Sequence, residues 1–356
     1  MNIGIIHPSF KVFGGAENTT MHILDALKKT EHFTTLYTVE PPVIEETQNF
    51  KVHRTNRHNF PSFWKYQRMK EIQRLFSNAN QEDVLVISSG GLSLEKTTKK
   101  VILYCHSTFE ADYEFLHKKF HGLKSQYYKI IQKNVKRTFE VLQSSSVKLV
   151  SNSNYTKNII NKIIQKESKV IYPPVDIKKF AKYFDNLKKN KIVTLSRFSP
   201  EKNLEFAIQV VKSSNFDYEL IGNARLGSQI KLCNDLKNNI DSKNISLFYN
   251  LSNIEIENSL GSAKVYFHPS KETFGIAVVE AISAGCIPIV PNNSAFAETV
   301  PIDALRFKDK EDAVNKLKDA LGGKYDHLKP MLRQYIEKFS VENFQKELLK
   351  EIESIN

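Results

Sequence analysis

Two cations, Arg197 and Lys202, stand just after an apolar run of the chain. Residues 192–196 predict a buried strand, and Ser199 followed by Pro200 predicts the start of a helix. Lys202 would then lie in the first helical turn, where a cation opposes the helix dipole. An anion such as a phosphate beside the helix N-terminus would offset that cost. Two solvated surface charges explain the segment equally well.

Two acids and a glycine, Glu272, Gly275 and Glu280, follow a second predicted strand, residues 265–268. Gly275 lies where a loop enters a helix, so backbone N–H groups there can approach a phosphate or a sugar. Glu280 falls inside the apolar helical run 276–284, and an acid is costly to bury without a partner. Ribose hydroxyls would satisfy it, and Glu272 can reach sugar hydroxyls. The alternative, in which Glu272 caps the helix and Glu280 faces solvent, fits the pattern less well.

Two further candidates lie in the first half of the chain. Gly14 and Gly15 precede the helical pattern 16–27, and adjacent glycines at a helix start can accept an anion. They do not form the GxGxxG motif of dinucleotide-binding folds, and a tight turn without a ligand explains them equally well. His106 follows the apolar run 101–105, where site residues gather, although a lone histidine is more often structural.

Short apolar runs alternate with longer amphipathic segments, which predicts βαβ units around parallel sheets. The length of 356 residues suits two domains. We therefore predict an α/β fold of two Rossmann-like, doubly wound domains that face each other across a cleft. The proline-containing segment 172–176 and the lysine-rich segment 178–191 suggest a boundary, which gives domains 1–185 and 186–335. Residues 336–356 are predicted as a helix that packs back towards the first domain.

The composition is that of an ordinary globular protein, with 41% hydrophobic residues. The three cysteines, Cys105, Cys233 and Cys286, lack disulfide or zinc spacing and predict reduced thiols. No apolar run reaches the roughly 18 to 20 residues of a membrane span, and the start lacks the basic region of a signal peptide. A cytoplasmic protein, with peripheral contact to the cytosolic face of a membrane, is therefore expected.

The net charge of +12 is concentrated in the first half. Residues 1–185 contain 28 Lys and Arg against 17 Asp and Glu, whereas the remainder contains 23 against 22. The first domain is therefore expected to face an anionic membrane surface, a phosphate-bearing acceptor or a nucleic acid. A nucleic-acid partner is disfavoured because the charge is diffuse and no recognition motif accompanies it.

Two stretches, residues 51–74 and 117–137, mix cations with aromatic side chains in a way typical of surfaces that dock on anionic lipid headgroups. Their members include Arg54, Arg57, Phe60, Phe63, Trp64, Lys65, Arg68, Arg74, Lys118, Lys119, Lys124, Tyr127, Tyr128, Lys129, Lys133 and Arg137. An ordinary solvated helix face is a nearly equal alternative.

Six segments taken in order, VFGGAE, YCHST, VSNSNYTKN, IYPPVD, LSRFSPEKN and HPSKETFGIAVVEAISAGCIPIV, resemble glycosyltransferase family 4, a retaining family of the GT-B fold. The sequences of these segments are most like those of the mannosyltransferases of lipid-linked oligosaccharide assembly. The resemblance implies hexose transfer, preferably of mannose from GDP-mannose, to a glycan or a lipid-phosphate-linked acceptor. No metal and no cofactor are expected, because nothing resembles the DxD motif of metal-dependent transferases. One departure is the loop PNNSAFAET, where many relatives have a glycine pair.

The resemblance also implies roles for individual residues. The catalytic set is Arg197, Lys202, Glu272 and His106. The donor-binding set is Gly14, Gly15, Phe274, Gly275, Ile276 and Glu280. Within these sets, Arg197 and Lys202 would hold the donor diphosphate, Glu272 the transferred sugar and Glu280 the ribose. His106 would contact the sugar near its reacting carbon.

Three alternatives remain at this point. A UDP-hexose-dependent transferase of surface polysaccharide synthesis would carry similar motifs. A nucleotide-sugar epimerase of similar fold would need acid and base carboxylates, and the SRxxxxKN pattern fits it poorly. A non-catalytic partner of another transferase is disfavoured by the presence of Arg197, Lys202, Glu272 and Glu280.

Overall fold

The computed structural model of the chain describes residues 1–56, 63–89, 93–122, 124–213 and 216–355. Two residues of the predicted membrane surface, Arg57 and Phe60, lie outside these ranges. The chain divides into two compact units. The first contains Met1–Pro174 and the chain from Glu342 onward, and the second contains Val175–Val341.

The first unit contains a sheet of seven described strands, all parallel, in the order β3-β2-β1-β4-β5-β6-β7. These strands are β1 (Asn2–Ile6), β2 (Phe33–Thr38), β3 (Phe50–Arg54), β4 (Val84–Ile87), β5 (Lys100–Cys105), β6 (Val147–Ser151) and β7 (Ser168–Val170). The helices between them are α1 (Gly15–Leu27), α2 (Trp64–Asn78), α3 (Glu110–His117), α4 (Ser125–Leu142) and α5 (Asn154–Ile164).

Apolar runs form the central strands of this sheet because both faces are covered. In β5, Ile102 and Tyr104 pack into one core cluster, whereas Leu103 and Cys105 pack into another. A strand buried on both faces reads as a continuous apolar run rather than an alternating one. All four side chains lie at the centre of the unit and are 0–1% exposed.

The second unit contains a sheet of six described strands, again parallel, in the order β10-β9-β8-β11-β12-β13. These are β8 (Lys189–Arg197), β9 (Asp217–Asn223), β10 (Ile245–Tyr249), β11 (Ala263–Phe267), β12 (Ile287–Pro291) and β13 (Arg306–Phe307). The helices are α6 (Ile177–Ala181), α7 (Leu204–Lys212), α8 (Gly227–Asn238), α9 (Asn253–Ser262), α10 (Ile276–Ser283), α11 (Phe296–Thr299), α12 (Lys310–Leu321) and α13 (Lys329–Ile336). The predicted α/β class, with two doubly wound parallel sheets, is confirmed.

The last helix, α14 (Val341–Glu353), belongs with the first unit for most of its length. Its apolar residues Phe344, Leu348 and Ile352 recur every four positions and join the core cluster that contains Ile3 and Ile5. Four-residue spacing places these side chains on one face of the helix, so the face is buried as a continuous stripe.

The division between the units lies after Pro174, earlier than the boundary after residue 185 that we predicted. The reason is α6, which packs with the second unit. Ser283 Oγ donates a hydrogen bond of 2.7 Å to the backbone oxygen of Ile177. Lys188 Nζ donates to the backbone oxygens of Tyr183 and Gly261 at 2.9 and 2.8 Å. We therefore placed the predicted boundary too late, because the lysine-rich segment is packed against the second unit and is not a linker.

Candidate donor-binding site

The turn after β8 carries the two predicted cations. Arg197 is the last residue of the strand, and Lys202 is the last residue of a short 3₁₀ turn, Pro200–Lys202. Asn203 then adopts a left-handed conformation with φ 51°, and α7 begins only at Leu204. Asparagine tolerates this conformation better than most residues, and here it ends the turn before the helix starts. Our prediction that Lys202 lies in the first helical turn is therefore wrong, and the helix-dipole argument does not apply to it.

Lys202 instead meets a carboxylate from another part of the sheet. Its Nζ lies 2.5 Å from Oε1 of Glu272, which follows the neighbouring strand β11. His268 contacts the same oxygen through Nε2 at 3.0 Å, and its Nδ1 lies 3.2 Å from the hydroxyl of Tyr266. A lysine and a histidine thus contact the same carboxylate oxygen at the carboxyl edge of the second sheet. Ligands of open α/β sheets bind at such edges.

Electrostatics keep Glu272 ionised. Burial by itself raises the pKa of this carboxyl, but the hydrogen bond and charge of His268, together with Lys202, outweigh burial and lower the pKa to about 2. Both described partners contact Oε1. An ionised carboxylate can only accept hydrogen bonds, which suits it to sugar hydroxyls.

The start of α10 presents backbone rather than side chains. Gly275 occupies the N-cap position with φ 95°, a conformation that residues with a side chain rarely adopt, and a Cβ there would collide with the ring of Phe296. Phe274 is buried against Phe339, with ring centroids 5.1 Å apart, and Ile276 is the first helical residue. The first N–H groups of a helix lack partners within the helix, so this end can donate to an anion.

Glu280 lies in the middle of α10. Burial raises its pKa to about 7, while the charge of Lys179 lowers it and that of Asp176 raises it. Over the described residues, no hydrogen bond or ion pair joins its carboxylate to another side chain. Burial is the main cause of the raised pKa of Tyr266, and the charges of Glu272 and Glu280 raise this pKa further. The two acids therefore lie within electrostatic range of one buried phenol.

Arg197 stands apart from the contact between Lys202 and Glu272. Its guanidinium lies 3.9 Å from Glu201, and the Arg197 side chain is 54% exposed. The structure thus brings Lys202, Glu272 and His268 together and leaves Arg197 at the rim. Sequence reasoning missed His268 as a site residue, although its place directly after a buried strand, like that of His106, was an available signal.

The candidates of the first unit surround the carboxyl ends of β1 and β5. Gly14 is the N-cap residue of α1 and Gly15 its first residue. Burial raises the pKa of Glu17, but hydrogen bonds from His7 and from the backbone of Glu17 itself and Gly14, with the charge of His7, lower it overall. The chain's own carboxylate therefore faces the N–H groups that we expected to meet a phosphate.

His106 follows β5 and is partly buried. Its Nε2 lies 2.9 Å from the hydroxyl of Ser88, and its ring packs 4.9 Å from that of Tyr104. Burial and the charge of His7 lower the pKa of His106 to about 3, against a smaller opposing effect of Glu17. The imidazole is therefore neutral at physiological pH and can act as a hydrogen-bond donor on one nitrogen and an acceptor on the other.

Two features are absent from the part of the chain that the structure describes. No group of three or more His, Cys, Asp or Glu side chains in those ranges is placed to hold a metal ion. None of the helices found there combines the length and apolar character that a membrane crossing requires.

Comparison with known protein families gives two matches. Residues 175–338 match the family described as glycosyl transferases group 1, and residues 13–179 match glycosyltransferase family 4. A GDP-Man:Man(3)GlcNAc(2)-PP-Dol alpha-1,2-mannosyltransferase of Dictyostelium discoideum is 27% identical over 263 residues, which cover 64% of this chain and 50% of that protein. The protein of the same name from Candida glabrata is 27% identical over 50% of this chain and 43% of its own length. The chain thus spans about half the length of the curated relatives it matches.

Solved structures show the same fold. A glycosyltransferase from Rickettsia africae superposes with a TM-score of 0.71 at 16% identity, covering 99% of this chain and 98% of its own. The Anabaena protein HepE in complex with UDP-glucose gives a TM-score of 0.73 at 15% identity, covering 99% of this chain and all of that one (100%). These are GT-B glycosyltransferase neighbours. With a match to glycosyltransferase family 4 followed by a match to glycosyl transferases group 1, in order on two parallel sheets, the chain is a glycosyltransferase of the GT-B fold.

Proposed function

We propose that this protein transfers a hexose from a nucleotide-diphosphate sugar to a hydroxyl of a glycan or lipid-linked glycan, with retention of configuration and without a metal. The observation that carries the proposal is the contact among Lys202, Glu272 and His268 beside the glycine-initiated helix α10. This contact brings together a cation that can bind a phosphate and an ionised carboxylate that can accept hydrogen bonds from sugar hydroxyls. Both lie beside a helix N-terminus at one edge of the second sheet.

The chemistry follows from these groups. Breaking the bond between the anomeric carbon and the diphosphate oxygen leaves negative charge on that oxygen. Arg197, Lys202 and the first N–H groups of α10 can stabilise this charge electrostatically. The acceptor oxygen forms its bond to the anomeric carbon on the face that the diphosphate leaves. Its proton passes to the departing phosphate oxygen, so no covalent enzyme intermediate is needed. Glu272, held by Lys202 and His268, orients the sugar rather than attacking it.

Mannose from GDP-mannose is the preferred donor. Its support is the name of the two curated relatives, which contains GDP-Man together with a PP-Dol acceptor. A UDP-hexose is the second candidate, and the Anabaena neighbour in complex with UDP-glucose favours it. In either case Glu280 would accept the ribose hydroxyls, since burial raises the pKa of its carboxyl and no side chain in the described ranges is hydrogen-bonded to it.

A panel of nucleotide sugars tests the proposal. GDP-mannose, UDP-glucose and UDP-galactose are compared by thermal stabilisation and by slow hydrolysis of the donor. A ligand at 100 times its Kd stabilises the folded state by about 2.7 kcal/mol, which is readily measured. We expect the largest shift and release of free mannose with GDP-mannose. A larger shift with a UDP-hexose selects the second donor, release of an epimerised nucleotide sugar selects an epimerase, and no response to any donor overturns the transferase assignment.

We also propose that the first unit docks on an anionic membrane surface at the start of α2, which would place the enzyme on the cytosolic face of a membrane. Phe63 and Trp64 expose 47% and 64% of their surface there. The Phe63 ring packs 5.1 Å from Tyr127, and the ammonium of Lys65 lies 4.5 Å above the Phe115 ring. Cations interleaved with exposed aromatics suit a headgroup layer, where rings enter the interface and ammonium groups meet phosphates.

Co-sedimentation with vesicles checks this surface. We expect the wild type to bind phosphatidylserine vesicles at low salt and to release them at high salt, because exposed charges are screened. Trp64→Ser should weaken binding by about tenfold, since an interfacial aromatic contributes roughly 1.5 kcal/mol or more. Phe33→Ser, which removes a ring of the first unit that is 55% exposed, is the matched control and should bind as the wild type does. Absence of binding to acidic vesicles at low salt contradicts the proposal.

A further inference from the structure

A buried histidine, His268, stands between Tyr266 and Glu272 in the second unit. Its Nε2 lies 3.0 Å from Oε1 of Glu272, and its Nδ1 lies 3.2 Å from the hydroxyl of Tyr266. The ring of Phe296 packs edge-on against the imidazole, with ring centroids 5.2 Å apart. His268 is 3% exposed, so protein groups rather than solvent surround its ring nitrogens.

The contact with Glu272 requires a proton on Nε2 of His268. The Glu272 carboxylate is ionised and can only accept, so an unprotonated Nε2 at 3.0 Å would set two lone pairs against each other. The hydroxyl of Ser270 is a second neighbour of Nε2, but it lies farther away, at 3.3 Å. Nε2 therefore donates its hydrogen bond to Oε1 of Glu272.

Tyr266 makes this hydrogen bond independent of the charge on the imidazole. Its hydroxyl lies 3.2 Å from Nδ1 of His268 and 3.1 Å from the backbone oxygen of Leu195. When the imidazole is neutral, Nδ1 accepts the hydroxyl proton. When Nδ1 carries a proton of its own, the hydroxyl donates to Leu195 and its oxygen accepts from Nδ1. Nε2 keeps its proton in both states, so the contact with Glu272 persists.

Glu272 is thus held through one of its two carboxylate oxygens. Lys202 reaches Oε1 at 2.5 Å from the turn after β8, and His268 reaches the same oxygen from the end of β11. The backbone oxygen of Glu272 accepts from the N–H of Ala295 at 3.1 Å, which ties the residue to the loop after β12. Within the described ranges, no hydrogen bond or ion pair joins Oε2 to another group. Oε2 is therefore the oxygen that can accept from a ligand.

We propose that His268 is a positioning residue that orients the Glu272 carboxylate, so that Oε2 accepts a hydrogen bond from a hydroxyl of the transferred sugar. The role of Oε2 towards the sugar rests on the proposed function, whereas the contact between His268 and Glu272 concerns the protein alone. A donor that lacks this hydroxyl leaves an ionised oxygen unpaired in the site, and such a loss discriminates strongly between substrates.

Two amide variants test the contact without a ligand. Glutamine at position 268 can place an N–H group where Nε2 lies, whereas asparagine can place one only where Nδ1 lies. The pKa of Glu272, about 2 in the wild type, should therefore be higher in His268→Asn than in His268→Gln. Carbon-13 NMR of glutamate-labelled protein measures this titration, and the Glu272 signal is identified by its loss in Glu272→Gln. Equal titration of Glu272 in the two variants overturns the positioning role.

Monodeoxy donors test the presentation of Oε2. Hydrolysis of GDP-mannose, or of the UDP-hexose if the nucleotide-sugar panel selects it, is compared with that of each monodeoxy analogue. In the wild type, one analogue should lose about a hundredfold in kcat/KM, because its missing hydroxyl leaves a charged acceptor unpaired. His268→Gln should keep most of this discrimination. His268→Asn should lose it, because kcat/KM for the complete donor falls about ten- to a hundredfold while that for the analogue changes little.

The outcomes separate the proposal from the function on which it rests. Discrimination that is equal in His268→Asn and the wild type overturns the role of His268 in presenting Oε2. If no analogue is discriminated by the wild type, the assignment of Oε2 to the sugar is overturned, and this arm needs no variant to fold. If no nucleotide sugar is hydrolysed while Glu272 titrates as expected in the two variants, the positioning role is supported and the proposed function is rejected.

Discussion

Replacing Lys202 or Arg197 by alanine should lower kcat by about 10²- to 10³-fold in each variant, which is the usual effect of removing one group that stabilises a developing negative charge. Both side chains serve the leaving diphosphate in the proposed mechanism. Steady-state donor hydrolysis and transfer measure the effect. Lys212→Ala is the control, because Lys212 is the last residue of α7 and pairs at 2.6 Å with Asp241, away from Glu272.

The two variants should differ in stability. Arg197 is half-exposed, and its 3.9 Å contact with Glu201 is an exposed ion pair. Because such pairs contribute little to stability, the loss of Arg197 should leave the thermal unfolding temperature unchanged. Lys202 lies 2.5 Å from Glu272, so its loss removes a charge that lowers the pKa of that carboxyl. Lys202→Ala should therefore unfold at a lower temperature than Arg197→Ala at pH 7. Near-normal turnover in both variants would reject their role at the diphosphate.

Glu280→Gln should bind the donor more weakly and yet be more stable than the wild type above pH 7. The pKa of Glu280 is raised from 4.5 to about 7 by burial, so the unfolded chain loses this proton at lower pH than the folded protein does. As pH rises from 4.5 through 7, the wild type therefore loses stability, by on the order of 3 kcal/mol in total. Glutamine does not ionise, so the Glu280→Gln variant does not lose this stability as the pH rises.

Urea unfolding at pH 4 and pH 8, with and without GDP-mannose, measures both effects. At pH 4 the two proteins should be similar, because Glu280 is protonated in both the folded and the unfolded state. Glu257→Gln is the control of opposite sign, since hydrogen bonds from Lys182 and Lys179 lower the pKa of Glu257 and its carboxylate therefore stabilises the fold at pH 8. A Glu280→Gln variant that is less stable than the wild type at pH 8, or that binds the donor equally well, contradicts the assignment.

Strand prediction from apolar runs succeeded for most of the central strands but missed β2 and β3. Residues 101–105 correspond closely to β5 (Lys100–Cys105), and residues 265–268 to β11. We missed β3 (Phe50–Arg54), the edge strand of its sheet, in which only Phe50 is buried and three residues are exposed. An edge strand needs no continuous apolar run, so its sequence carries little signal.

The sequence by itself determined the α/β class, the order of the motifs and the candidate roles of Arg197, Lys202, Glu272, Gly275 and Glu280, because residue type and local spacing carry that information. Tertiary structure decided which side chains meet. Lys202 and Glu272 are 70 positions apart and touch because β8 and β11 are neighbours in the sheet. Likewise, the carboxylate of Glu17 faces the start of α1, and the hydroxyl of Ser88 lies 2.9 Å from Nε2 of His106. Such contacts depend on strand order and on the pairing register of the strands, which local sequence spacing does not contain.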